Sequence, residues 1–199
     1  MNIVRKQIAY NISKRTSDIE YIVIHDTGNK NKGADSEAHF KYYNGGNRNS
    51  SADAFVDDKQ CLILNDYKVN YTWHCGDGKG KYGITNGNSI GIEICVNADG
   101  NYTKAYNNAV ELTKQLMKEL NIPIDRVVRH YDASRKSCPA SMKDNNWELW
   151  NNFKKDLVET KNNTSGKLYR VQVGAFSKKE NAEALQKKLK AAGFDAIIV

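Results

Sequence analysis

Apolar and polar positions alternate or recur along the chain in a way that marks out most of its elements. Ile19 to His25 is a β-branched run that reads as a strand ending on a histidine, and Thr27-Gly28-Asn29 breaks it. Asp35 or Ser36 can cap a short helix that carries Ala38, His39, Tyr42 and Tyr43, ended by Asn44-Gly45-Gly46-Asn47. Ala54-Phe55-Val56 and Cys61 to Leu64 read as a hairpin around Asp57-Asp58-Lys59. In Ser89 to Val96 the residues Ile90, Ile92, Ile94 and Val96 share one face of a strand, which puts Gly91, Glu93 and Cys95 on the other. Residues 103–120 form the clearest helix, with Ala109, Leu112, Leu116, Met117 and Leu120 at helical spacing and Asn121-Ile122-Pro123 closing it. Arg126 to His130 is a short strand that again ends on a histidine. Residues 144–160 make a helix capped by Asp144, with Trp147, Trp150, Phe153 or Lys154, and Leu157 inward.

The pattern then changes. Residues 161–166, Lys-Asn-Asn-Thr-Ser-Gly, read as a polar linker between a unit of residues 1–160 and a small one of residues 167–199. In the latter, Leu168 to Gly174 alternates as a strand, Glu180 to Ala192 is an amphipathic helix with Gly193 as its C-cap, and Phe194 to Val199 is a second strand. A β-α-β piece of this size is too small to bury a core alone.

Charge and composition narrow the classes. Of the net charge of +7, the larger part lies in residues 164–199, where seven basic side chains face three acids. Such a field attracts nucleic acid or an anionic cell-wall polymer; beyond Tyr169 and Phe176 the tail has no aromatic platform for stacking bases, so no nucleic-acid partner is expected. No stretch approaches the ~20 apolar residues of a membrane span, and the first residues lack the apolar run of a signal peptide. The expectation is synthesis in the cytoplasm without membrane insertion, with release by a lysis pore or non-classical export if the protein acts outside. Four scattered cysteines, Cys61, Cys75, Cys95 and Cys138, do not make a disulfide framework; free thiols or one metal ligand fit better.

His25 and His130 each end a strand, and Cys138 follows the second by eight residues. Two imidazoles and a thiolate with one open position make a catalytic zinc site; from spacing alone the signal is weak, since histidines at strand ends are commonly structural or solvent-exposed. Four blocks then occur in order: Ile22 to Asn29, Trp73-His74-Cys75-Gly76, Ser89 to Glu93, and Arg129-His130-Tyr131-Asp132 through Lys136-Ser137-Cys138-Pro139. Together, over residues 5–155, they resemble the N-acetylmuramoyl-L-alanine amidases of the phage-lysozyme and peptidoglycan-recognition-protein superfamily, most closely endolysins and autolysins of Gram-positive bacteria and their phages.

The resemblance implies an α/β fold with a mixed central sheet flanked by helices, and Zn2+ held by His25, His130 and Cys138. It implies that Glu93 is the active-site carboxylate and Lys136 the active-site cation, with Trp73 and His74 contacting substrate at the cleft rim. The reaction implied is hydrolysis of the amide between N-acetylmuramic acid and L-alanine in peptidoglycan; a non-catalytic receptor of the same fold is the rival. Cys75, beside His74, competes with Cys138 as ligand, or else it and Cys95 are small buried apolar residues. His39 is expected to be structural or exposed, and Tyr42 or Tyr43 to line the cleft or join the core. Asp53-Ala54 departs from the family, which often carries a histidine or aromatic residue there, and so puts the stem-peptide preference in doubt. Tyr169 to Ser177 with the helix after it resembles the first half of a SPOR domain, a peptidoglycan-binding module; the expectation is either a truncated module or a half that pairs with a second copy in a homodimer.

Overall fold

The structure, a computed structural model, describes residues 1–159, 172–194 and 196–198. The chain divides into two compact units, Met1–Thr160 and Lys161–Val199. In chain order the first unit contains β1 (Ile3–Arg5), β2 (Ile12–Lys14), β3 (Tyr21–Asp26), α1 (Ser36–Asn44), β4 (Ala54–Val56), β5 (Cys61–Ile63), β6 (Asn70–Thr72), β7 (Ser89–Ile94), α2 (Tyr102–Leu120), β8 (Val127–Arg129), α3 (His130–Ser134) and α4 (Asp144–Val158).

The six-stranded sheet has the order β1-β5-β4-β7-β3-β8; β4 and β5 are antiparallel and the other neighbours parallel. A separate antiparallel pair joins β2 to β6. The central strands are buried on both faces, as parallel strands between helices must be. On one face Ile22, Ile24, Ile90, Ile92 and Ile94 pack against Ala109, Leu112 and Leu116 of α2 and Trp150, Phe153 and Leu157 of α4. On the other face are two smaller apolar clusters, one with Phe55, Leu62 and Leu64 beneath α1, the other with Val23, Cys75, Ile84 and Ala133. Period-two alternation puts His25 and Glu93 on this second face, near the C-terminal ends of β3 and β7, where parallel sheets place their sites.

Several elements follow directly from local chemistry. Asp35, not Ser36, is the N-cap of α1, its carboxylate accepting from the Ala38 N–H at 3.0 Å. Asn101 caps α2 through the Lys104 N–H, and Asn121 ends it in the left-handed region at φ 54°. The hairpin forms as β4 and β5.

Other expectations fail. β1, β2 and β6 have no counterpart among the elements read from the sequence; each is three residues long and, unlike the hairpin strands Ala54–Val56 and Cys61–Ile63, only partly buried, so no apolar run marks it. The strand expected to end on His130 stops at Arg129, and His130 opens α3. Asp144 does not cap a regular helix: Asn145, Asn146 and Trp147 have φ of 50°, 55° and 66°, so regular α4 geometry begins only after them. Asparagine tolerates that region and tryptophan does not; the Trp147 ring is held between the Arg129 guanidinium (4.3 Å) and Tyr131 (5.4 Å). Lys154 is not a core side chain; its ammonium donates to the Val127 carbonyl at 2.6 Å and to that of Ile124.

In the second unit the expected helix forms as α5 (Lys179–Ala191). The strands expected on either side of it are absent among the described residues, since 172–176 and 194, 196–198 form none. The linker 161–166 and Leu168–Val171 lie outside the described residues. Among the described residues, no helix is long and apolar enough to cross a membrane.

Candidate metal centre

His25 lies near the end of β3, buried to 1% exposure. Strand β8 pairs with β3 so that Ile24 faces Arg129, and His130 therefore emerges beside His25, ring centroids 4.6 Å apart. Asp132 accepts from the Arg129 backbone N–H at 2.9 Å and from its guanidinium at 2.9 and 2.7 Å, which fixes the start of α3 and with it His130. The chain turns at Arg135 (φ 70°) and returns Cys138 to the same spot, with the Tyr131 N–H donating to the Cys138 carbonyl at 3.0 Å.

Ligand atoms of His25, His130 and Cys138 all lie within 4.8 Å of one another, and Cys138 Sγ is 3.8 Å from His25 Nδ1. Zinc bonds of about 2.1 Å to nitrogen and 2.3 Å to sulfur call for ligand atoms about 3.5 Å apart. His130 Nδ1 is buried and has no partner, whereas its Nε2 bonds Asp77 Oδ1 at 2.8 Å. A buried nitrogen left bare beside a thiol and a second imidazole is what a tetrahedral N2S site requires, so the residues fit zinc. Burial lowers the pKa of His25, with His130, His74 and Lys136 adding to the effect, and burial also lowers His130 against the pull of Asp77. Both rings are thus neutral donors. Burial, and then Glu93, push the Cys138 thiol up to about 12, so its proton leaves only when a cation takes its place.

Glu93 is the register partner of His25 across β3 and β7, its Oε1 3.9 Å from His25 Nδ1. Its side chain is 19% exposed, yet Oε2 is buried and unpartnered. Burial and Asp26 push its carboxyl up to about 8, opposed by Lys136. Lys136 is exposed on the loop before Cys138; with Ser50, Trp73, His74 and Asp77 it lines a cavity of about 370 Å³ that reaches the triad at His130.

Trp73 is half-buried and donates its indole N–H to Ser13 Oγ at 3.0 Å. His74 is 8% exposed and has protein partners on both ring nitrogens: Nδ1 to His25 Nε2 at 3.1 Å and Nε2 to Ser89 Oγ at 3.1 Å. Cys75 points instead into the Val23 cluster, its Sγ 3.8 Å from Ser89 Oγ, which leaves Cys138 as the cysteine of the triad. Cys95 is buried as expected, and His39 is buried, stacked on Phe55 with Nδ1 at 2.8 Å from the Asp35 carbonyl. Tyr42 is 52% exposed, whereas Tyr43 packs on Phe55. Asp53 is fully buried and accepts from Asn65 Nδ2, Thr72 Oγ1 and the Gly91 N–H at 2.9, 2.7 and 2.8 Å.

Asp77, Ser89 and Asn86 escape sequence reasoning. Asn86 Oδ1 accepts the His74 and Cys75 N–H groups at 3.0 and 2.8 Å, fixing the segment that carries His74. The available signal is glycine. A Cβ on Gly78 would lie 2.1 Å from the Ala133 carbonyl oxygen, so only glycine lets the Asp77 turn approach α3. A Cβ on Gly91 would lie 2.5 Å from His74 Cγ, so only glycine there leaves room for the ring on β7.

The comparisons with known proteins agree with this geometry. Residues 15–141 match the N-acetylmuramoyl-L-alanine amidase family and residues 148–199 the SPOR domain. The SPOR match begins inside α4, whose Trp150, Phe153 and Leu157 belong to the core of the first unit. N-acetylmuramoyl-L-alanine amidase CwlH of Bacillus subtilis (strain 168) is 44% identical over 134 residues, 67% of this chain and 50% of its own. The catalytic domain of XlyA superposes with a TM-score of 0.68 at 37% identity over 79% of this chain and 99% of its own. A mutant endolysin from Bacillus subtilis gives 0.70 at 39% identity, over 78% and 98%. The chain spans about half the length of the curated relatives it matches. Its matched family, its sheet and its buried His-His-Cys cluster agree: the chain belongs to the N-acetylmuramoyl-L-alanine amidase family.

Proposed function

We propose that this protein is a zinc-dependent hydrolase of peptidoglycan that cleaves the amide between the lactyl group of N-acetylmuramic acid and L-alanine, acting at the cell wall. The observation that carries the reading is the buried His25–His130–Cys138 triad, with Glu93 beside His25 and with His130 and Lys136 both lining one cavity. Family membership supports it.

Zinc held by the triad would supply Lewis acidity, polarising the scissile carbonyl and making water nucleophilic near neutral pH. Glu93 takes the proton of the attacking water at Oε2, the oxygen with no protein partner. The same carboxyl then passes that proton to the departing alanine nitrogen. Lys136 places its ammonium where negative charge develops on the carbonyl oxygen. Trp73 forms a wall of the cavity and packs against substrate. The products are a muramic acid carboxylate and a stem peptide with a free L-alanine amino group.

The SPOR match supports a wall-binding role for the second unit, and a homodimer formed through it has one support: Val173, Phe176, Phe194 and Ile197 are 60%, 47%, 65% and 77% exposed, and pairing would cover them. A monomeric mass in solution sinks the dimer.

The test uses purified peptidoglycan with wild type, Glu93→Ala and Cys138→Ser in parallel. Free L-alanine amino termini from wild type, lost in both variants and after chelation, establish the reading. Wall binding with zinc retained and nothing released establishes a receptor instead, and new reducing sugars overturn the bond assignment.

A further inference from the structure

We propose that His74 and Ser89 are positioning residues that set the tautomer of His25, through a chain of neutral hydrogen bonds ending on the Thr85 carbonyl. The proposal rests on the reading of His25 as a metal ligand.

The direction of the chain follows from which groups carry protons. The Thr85 carbonyl only accepts, so the Ser89 hydroxyl proton points to it. Ser89 Oγ then offers a lone pair 3.1 Å from His74 Nε2, which must be the protonated nitrogen of that ring. His74 Nδ1 is consequently bare, and at 3.1 Å it accepts from His25 Nε2–H. The proton of His25 is held on the far side of the ring, and Nδ1, which faces Cys138 Sγ at 3.8 Å, presents its lone pair. Reversing any one link sets two N–H groups, or two lone pairs, against each other inside a buried site, where an unmade hydrogen bond is costly.

His130 is oriented differently. A carboxylate, Asp77, holds its Nε2 proton, which is the commoner device at metal-ligating histidines. The His25 relay carries no ionised group, so it orients the ring without adding negative charge beside a thiolate. Three features serve it. Ser89 and Gly91 stand on β7, Gly91 leaves the space that the His74 ring fills, and Asn86 anchors the His74 backbone.

The experiment measures zinc affinity of the full chain by competition with a chromophoric chelator, for wild type, His74→Leu, His74→Asn and Ser89→Ala. Melting of each zinc-free variant serves as the control for folding. His74→Leu removes the acceptor and weakens zinc binding about 10- to 100-fold; His74→Asn keeps an acceptor oxygen where Nδ1 stood and recovers most of the loss. Ser89→Ala, which barely disturbs packing, weakens binding severalfold. In the 15N-labelled zinc-free wild type, His25 Nδ1 resonates as an unprotonated nitrogen, and in Ser89→Ala the two tautomers mix. Wild-type affinity in both His74→Leu and Ser89→Ala, or a protonated His25 Nδ1 in wild type, overturns the relay while leaving the metal centre intact. Equal losses in His74→Leu and His74→Asn that follow lowered melting make the role structural and also overturn it. A wild-type chain that binds no zinc overturns the metal reading and the relay with it.

Discussion

His25 and Glu93 face each other across neighbouring parallel strands, with Nδ1 of the histidine 3.9 Å from Oε1 of the glutamate. Strand pairing alone thus sets a proposed ligand beside a proposed proton carrier, and it leaves Glu93 Oε2 buried with no partner. Glu93→Gln keeps the shape and removes the base. We expect hydrolysis of peptidoglycan to fall about 10²- to 10⁴-fold, with zinc content unchanged by elemental analysis. Because the carboxyl is desolvated without a partner, melting temperature should hold or rise. Retained activity removes Glu93 from the reaction.

Removal of the metal should cost stability as well as activity. The free energy that zinc contributes grows with its concentration over its dissociation constant, about 2.7 kcal/mol at a hundredfold excess. Melting should therefore drop on chelation and recover on adding zinc back. Cys138→Ser, which removes the sulfur from the triad, should lack most of this response. Identical melting curves with and without chelator would speak against a preformed site.

Acid should destabilise the zinc-free protein. Burial lowers all four histidines: His25, His39 and His130 fall below their ordinary 6.5, and His74 falls to about 3. In the unfolded chain each titrates near 6.5. Above that value folded and unfolded histidines are equally neutral, and the stability is fully present. As pH falls through 6.5 the unfolded chain takes up protons that the folded one refuses, so stability declines. Glu93 and Asp53, raised by burial, oppose this, being protonated in the fold before they are in the unfolded chain. Four histidines against two carboxyls leaves a net loss. Melting temperature of the chelator-treated chain should therefore fall between pH 7 and 5, and a flat or rising profile counts against the buried neutral rings.

Asp53 tests a residue whose sequence position misleads. Asp53→Ala strands Thr72 Oγ1 and the Gly91 N–H without an acceptor in the core, which should cost about 3 kcal/mol or more in urea denaturation. Asp53→Asn, still able to accept, should cost less.

What the chain reveals by reading alone divides along physical lines. The long helix and the strands around Ile22 and Ile92 declare themselves because many residues repeat one period over a buried face. Ile12–Lys14 is as short as the hairpin strands but lacks their buried apolar run, so it does not register. His25, His130 and Cys138 are visible as residue types at strand ends, and the structure brings them together. Their supports are not visible: His74 meets His25 across 49 residues and Asp77 meets His130 across 53, contacts that only the completed sheet creates. The left-handed turn at Asn145–Trp147 is likewise hidden, since Asp144 followed by an apolar period looks like any capped helix.

The limit of the first unit gives the last prediction. Alignment to the SPOR domain begins at residue 148, but the fold does not divide there. Trp150, Phe153 and Leu157 are buried in the main core, and the Lys154 ammonium donates to the carbonyls of Ile124 and Val127. Burying one such side chain is worth about 1.5–3 kcal/mol, and three exceed half the stability of an ordinary domain. A chain ended after residue 147 should therefore fail to melt cooperatively. In α5, by contrast, no side chain is buried, so it supplies no core to lose. A chain ended after residue 160 should keep the wild-type melting transition and its zinc affinity, measured by calorimetry and chelator competition. Cooperative folding of the shorter chain would place α4 outside the core; collapse of the longer one would show that the first unit depends on the second.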